Sequence, residues 1–227
     1  MRLILIFIFF LCSQLHAQHA LRFEVLSGVV YNFPSRLIIH QDGYETIKMT
    51  ARYRSEPFRL PPYYDFRLSL WKRDSSAWGL KFTHHKLILD NPKGMIHHFE
   101  ITHGYNIFSL TRLWKRKGFI FNVSMGAIVA NPQSTIRGLY FQGGGLFNNG
   151  YYFSGAVGEA AIGKNLKITR DWYLTGEIRA TAAWARVKVH SGYADVPNTA
   201  IHFLIGTGYN IASKQDKRWK IGGVRKE

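Results

Sequence analysis

The sequence predicts an all-β chain, an antiparallel up-and-down transmembrane β-barrel of eight strands, and three observations carry that prediction. Hydrophobicity alternates with a period of two over unusually long runs. The links between runs alternate short and long. The charged residues fall on the opposite parity from the apolar ones.

The runs come first. Phe119, Phe121, Val123, Met125, Ala127 and Val129 alternate with Ile120, Asn122, Ser124, Gly126, Ile128 and Ala130. Trp172, Leu174, Gly176, Ile178, Ala180, Ala182 and Trp184 share one face, with Tyr173, Thr175, Glu177, Arg179, Thr181 and Ala183 on the other. Strands of soluble domains usually run about five or six residues, whereas a tilted membrane-crossing strand needs about 9 to 11. The eight expected strands cover 21 to 33, 62 to 72, 76 to 89, 95 to 113, 118 to 130, 150 to 168, 171 to 189 and 197 to 212.

Short polar turns fall at 73–75, 114–118 and 169–170, and longer links at 34–61, 90–94, 131–149 and 190–196. Outer-membrane barrels have short periplasmic turns, longer external loops and an even strand number. The segment Thr46 to Ser55 is itself strand-like; if it and Trp219 to Val224 both span, the count becomes ten.

The faces follow from taking the more apolar parity of each strand as outward. Phe23, Val25, Val29 and Tyr31, then Tyr64, Phe66, Leu68 and Leu70, then Ile201, Phe203, Ile205, Tyr209 and Ile211 face lipid. Inward go Arg22, Glu24, Asp65, Arg67, Lys81, His85, His98, Glu100, Glu159, Glu177, Arg179 and His202. A soluble eight-stranded barrel has the reverse arrangement, and a buried charge requires a partner or water. Trp71, Trp78, Trp114 and Trp172 lie beside the expected periplasmic turns, and Tyr31, Tyr63, Tyr64, Tyr151 and Tyr152 near the opposite ends, as two aromatic girdles.

The rest of the chain fits an exported protein. One basic residue, Arg2, precedes an apolar run from Leu3 to Cys12 and a polar stretch ending at Ala17, the layout of a signal peptide. The expected organisation is therefore a leader at 1–17, a barrel at 18–212 and a basic tail at 213–227. The single cysteine, Cys12, lies in that leader, so neither disulfides nor a thiolate metal site are expected beyond it. The formal charge of +16 favours anionic surfaces such as lipid phosphates. No nucleic-acid recognition motif accompanies it. Beyond the leader no run of about 20 apolar residues recurs, which excludes a helical membrane protein.

With these alternating strands, the chain resembles the bacterial small outer-membrane β-barrel superfamily, which includes OmpA-like, OmpX-like and lipid A-modifying barrels. The resemblance covers residues 20 to 212 and rests on architecture. It implies a monomer in the bacterial outer membrane, inserted by the outer-membrane assembly machinery, with membrane lipids and lipopolysaccharide phosphates as partners and no cofactor.

Some members of that superfamily are enzymes acting on lipid A through a histidine, a serine and a carboxylate. The shared His-x-Ser spacing of the deacylases is absent. His103 and Ser109 share a parity but stand roughly 20 Å apart along a strand. A set assembled from separate strands would use His98, Glu100 and Ser134. If the chain turns about Asn91 and Pro92, His85 faces His98 with Glu100 diagonal to them, a two-imidazole, one-carboxylate set suited to zinc. The alternative reading places these three in the hydrogen-bond network of the lumen. His84 and His97 would face the headgroups, while His103 shares its parity with the apolar Phe99, Ile101, Tyr105 and Ile107, so it faces lipid unless a bulge intervenes.

The leading expectation is a structural or surface-interaction barrel with a polar, non-porin lumen. The second is a lipid A or phospholipid hydrolase or acyltransferase on the same scaffold. The third is a soluble periplasmic barrel for an apolar ligand, which requires Phe119, Phe121, Val123, Trp172 and Ile178 to line an interior.

Overall fold

A computed structural model describes residues 19–73, 75–146 and 148–213. The leader and the tail from 214 onward, Trp219 to Val224 included, lie outside the described residues. Thirteen strands are present among the described ones: β1 (His19–Asn32), β2 (Ser35–Gln41), β3 (Ile47–Ala51), β4 (Tyr53–Arg54), β5 (Tyr64–Lys72), β6 (Ser76–Leu89), β7 (Ile96–Arg116), β8 (Phe119–Ala130), β9 (Gln133–Ile136), β10 (Leu139–Phe141), β11 (Tyr152–Lys167), β12 (Trp172–Val189) and β13 (Gly192–Ser213).

Eight of them form a ring, β1–β5–β6–β7–β8–β11–β12–β13, closed by antiparallel pairing of β13 with β1 from Ala20↔Ser213 to Asn32↔Ala200. Closure leaves the ring without an edge, so its backbone groups pair internally, as hydrocarbon requires. Every expected strand is present within a few residues of its expected bounds. The link expected at 190–196 is instead a two-residue turn, His190–Ser191, with Ser191 at φ 50° and β13 starting at Gly192. Ala194 and Val196 continue the alternation and pair with Val187 and Ala185, which makes that stretch strand.

The expected belt lies outside. Phe119, Val123, Trp172 and Ile178 are exposed, Phe121 is partly so, and Leu68, Leu80, Leu110, Phe203 and Ile205 continue the apolar surface around the ring. That arrangement overturns the soluble-barrel reading. Trp78, Trp114 and Trp172 form the lower aromatic girdle. Trp71 and Tyr63 do not join the girdles: both are buried inside the ring.

Polarity reverses along β12. Outward, Trp172, Leu174, Ile178 and Trp184 give way to Arg186, Lys188 and His190; inward, Thr175, Glu177, Arg179 and Thr181 give way to Ala185, Val187 and Val189. β13 reverses at the matching register, since Trp184 pairs with Pro197 and Asn198 with Ala183. Below this level the chain is solvated by lipid and hides its polar groups. Above it the strands stand in water and hide apolar ones.

The segment above the reversal is a head. β2 extends the sheet by pairing with β13 from Asp195↔Ile38 to Gly192↔Gln41, and β3 pairs with β2. The strand-like segment Thr46 to Ser55 is thus β3 and β4, a head hairpin arm and a short bridge to β6, and neither crosses the membrane. β9 and β10 add a second hairpin beside the upper end of β7. Leu37, Ile39, Leu87, Phe99, Ile101, Ile128, Val187 and Val196 fill the head's core.

Candidate functional site

The interior is built in layers from the periplasmic end upward. At the bottom Trp71, Ala77, Leu113 and Ile120 pack together, with the Arg22 guanidinium 4.5 Å above the Trp71 ring. A cation on an aromatic face gains most when both are shielded from water. This closes the lower mouth.

Seven of the ring strands then contribute to one buried ionic layer. Arg67 donates to Glu24 at 2.5 Å and to Glu177 at 2.7 Å. Arg179 donates to Glu177 and Asp65, each at 2.7 Å. Lys81 donates to Glu159 at 2.5 Å, whose second oxygen accepts from Ser109 at 2.6 Å. Thr83 and Asn122 supply further donors to Asp65 and Glu177. Strand periodicity explains the convergence: each of these residues sits on the inward parity, and an eight-stranded ring is narrow enough for side chains to meet across it. Each acid has a cation within hydrogen-bonding distance, which is what makes such a layer tolerable away from water.

A layer of uncharged amide and hydroxyl groups with two imidazoles lies above. Tyr63 Oη and His202 Nδ1 are 3.0 Å apart, and Thr181 Oγ1 is 3.2 Å from His202 Nε2. His85 Nε2 is 3.2 Å from Asn32 Oδ1, which also accepts from Asn198 at 3.0 Å. The two imidazole rings are 5.5 Å apart between centroids. The apolar core of the head covers this layer, so polar contacts give way to hydrocarbon at the level where β12 reverses. In the head, burial raises the Tyr53 phenol well above its ordinary range.

The expected histidine site does not assemble. His85 faces Tyr105, Leu87 faces Ile101 and Ile88 faces Glu100, so His85 and His98 are not partners. The expected register is off for two reasons: the chain turns about Gly94 instead of Asn91 and Pro92, as the pairing of Ile88 with Glu100 requires, and β7 then bulges, with residues 102–104 between Ile101 and Tyr105 where β6 has only Lys86 between His85 and Leu87. Gly104 takes φ 149° inside this bulge, and His103 lies in it, exposed, with Nδ1 2.7 Å from Gln133 Nε2. The bulge is the irregularity that the awkward parity of His103 pointed to.

The expected faces of upper β7 are also exchanged. Phe99, Ile101, Tyr105 and Ile107 are buried inside, while His98 and Glu100 lie partly exposed on the other face, 3.5 Å apart as an ion-pair contact. The rule that sends apolar residues to lipid holds only within the membrane, and this stretch is in the head. Ser134 pairs with Phe99 and is buried with it, whereas His98 and Glu100 pair with Thr135 and Gln133. Paired residues share a face, so the sheet itself separates Ser134 from the other two, and no catalytic set of His98, Glu100 and Ser134 forms. Among the described residues no group of three or more His, Cys, Asp or Glu side chains gathers as metal ligands. His84 keeps its outward parity but is covered, stacked at 5.0 Å on Tyr64 and 2.8 Å from Asn106 Oδ1; His97 is exposed.

Two features escaped sequence reasoning, the apolar head core and the β2–β3 extension. The stretch Arg186 to Val189 carried the signal, because its charges sit on the parity that is apolar up to Trp184.

No protein-family model matches the chain, and no curated protein matches it. Among solved structures the chain is similar to the outer membrane protein AlkL, with a TM-score of 0.50 and 13% identity over 88% of this chain and 94% of that one. It also aligns with Neisserial surface protein A, with a TM-score of 0.38 and 6% identity over 86% of this chain and 98% of that one. The outer membrane protease OmpT from Escherichia coli aligns with a TM-score of 0.38 and 8% identity over 85% and 97% of the two chains. At such identities the AlkL likeness speaks to the fold alone. The closed ring, the lipid-facing belt and that likeness make the fold that of a bacterial outer-membrane β-barrel.

Proposed function

We propose that the chain is a non-conducting outer-membrane barrel whose task is to hold a strand-built head at the cell surface for contact with a surface partner. The observation that supports this is the continuous filling of the interior. Trp71 lies at one end, the ionic layer bridges the middle, and the apolar head core sits on top. A porin interior is a water-filled channel, and among the described residues this one offers no such column. The interior polar residues thus serve as a structural plug.

The outward face of the head is basic close to the membrane. Arg186 and Lys188 on β12, Arg36 on β2 and Lys48 on β3 all face solvent just beyond Trp184, the upper limit of the apolar belt. Arg186 is held by Asp195 at 2.8 Å and lies over the Tyr193 ring at 4.2 Å. These cations suit the phosphates of outer-leaflet lipopolysaccharide, which would anchor the head without occupying its top. In this role the barrel acts as a monomer.

Planar-bilayer recording on the refolded full chain tests the proposal. Stable insertion without conductance steps is the expected result. Reproducible open-channel steps would overturn it.

A further inference from the structure

A groove of about 670 Å³ opens on the outside of the ring near its periplasmic end, within the range of roughly 300–1,000 Å³ typical of ligand clefts. Phe119, Ile162, Lys164, Ile178, Phe203 and Ile205 surround it, and Gly176 lies at its floor. The side chains facing it are apolar except for one cation, because Glu177, which also lines it, turns its carboxylate into the ionic layer.

Gly176 has no backbone reason to be glycine. Its φ lies outside the left-handed region, and a Cβ placed on it would meet only the Leu204 backbone oxygen, at 4.0 Å. A glycine inside a strand weakens pairing and packing, and it often marks a place where something approaches the backbone closely. The neighbouring outward positions on β12, Leu174 and Ile178, are large, so the glycine makes a notch between them.

Lys164 supplies the second observation. It faces outward three residues before the end of β11, about 7 Å above that end at the usual strand tilt. An ammonium in hydrocarbon is costly, and a four-carbon stem relieves the cost by carrying the charge to the headgroups. Here Nζ lies 5.5 Å from the Phe119 ring, and Phe119 opens β8 at the periplasmic edge. The ring therefore holds the charge toward the phosphate level, at the mouth of the notch.

We propose that this groove is a binding site for a glycerophospholipid of the periplasmic leaflet, its phosphate on Lys164 and one acyl chain lying over Gly176, beside Ile205 and against Ile162 and Ile178. Charge complementarity selects the phosphate and the apolar walls select the chain. The site rests on the membrane-spanning fold and is independent of whether the lumen conducts.

Native mass spectrometry of the full chain released from detergent, titrated with phosphatidylglycerol, tests it. One retained lipid is expected per wild-type barrel. Lys164→Gln, which removes the charge, and Gly176→Leu, which fills the notch, should each weaken retention about fivefold, the scale of one surface ion pair or a small lost contact. Ile205→Trp fills the groove from the opposite wall should Gly176→Leu not fold, and heat-modifiable gel mobility verifies folding of every variant. Diacylglycerol, which lacks the phosphate, and glycerol phosphate, which lacks the chains, should both be retained more weakly. Wild-type retention by a folded Lys164→Gln variant, by a folded groove-filling variant, or of diacylglycerol would overturn the proposal.

Discussion

Arg179 and Asp65, 114 residues apart in sequence, meet at 2.7 Å inside the ring and join β12 to β5, two strands that share no backbone hydrogen bonds. The same guanidinium holds Glu177, so its loss would leave the buried Asp65 carboxylate without its cation and Glu177 with Arg67 alone. Arg179→Met should therefore destabilise the barrel by about 3–5 kcal/mol, the cost of breaking a buried pair from one side. Urea unfolding in lipid vesicles reads this directly. Adding Asp65→Asn to that variant should recover part of the loss, because it removes the stranded charge.

The head core predicts a different signature. Phe99 is buried among Leu37, Ile101 and Ile136, and Phe99→Ala should cost about 3–5 kcal/mol as a cavity-forming truncation. Because β2 and β3 pack over this core, protease added outside intact cells should cut within residues 33–63 faster in the variant. Cleavage at the wild-type rate would place the hairpin's support elsewhere.

Gly104 carries the bulge of β7. With φ at 149° and a prospective Cβ 2.3 Å from the Asn106 side chain, Gly104→Val should cost about 1–3 kcal/mol of backbone strain. It should also displace Asn106 from His84, so the His84 imidazole resonances should shift in NMR spectra of the micelle-bound protein.

Because the sheet separates Ser134 from His98 and Glu100, expression of the chain should leave the acyl pattern of lipid A unchanged. Mass spectrometry of lipid A from cells with and without the protein checks this. A lost or added acyl chain that depends on Ser134 would restore the enzymatic reading.

The ring strands and their links were legible because a membrane barrel writes a period of two into long runs, and an apolar outward parity is unambiguous where lipid is the solvent. That logic located Glu24, Asp65, Arg67, Lys81, Glu159, Glu177 and Arg179 on the inward parity, where they now form the ionic layer. It failed for upper β7, because Phe99, Ile101, Tyr105 and Ile107 belong to a segment whose outside is water. The link between β6 and β7 turns about Gly94, not about Asn91 and Pro92, and a two-residue bulge shifts the partner further, which is why His85 found Tyr105 instead of His98. Nothing local in the sequence states where the solvent changes. Only the exchange of parity between Trp184 and Arg186 records it.

That exchange is also the place to test the account. A spin label moved one position at a time along β12 from Leu174 to His190 should report oxygen access at even positions through Trp184. Access to a water-soluble relaxation agent should replace it at 186, 188 and 190, and odd positions should be shielded from both. Water-phase access at 174 and 178 would contradict a membrane-spanning barrel with a head built above it.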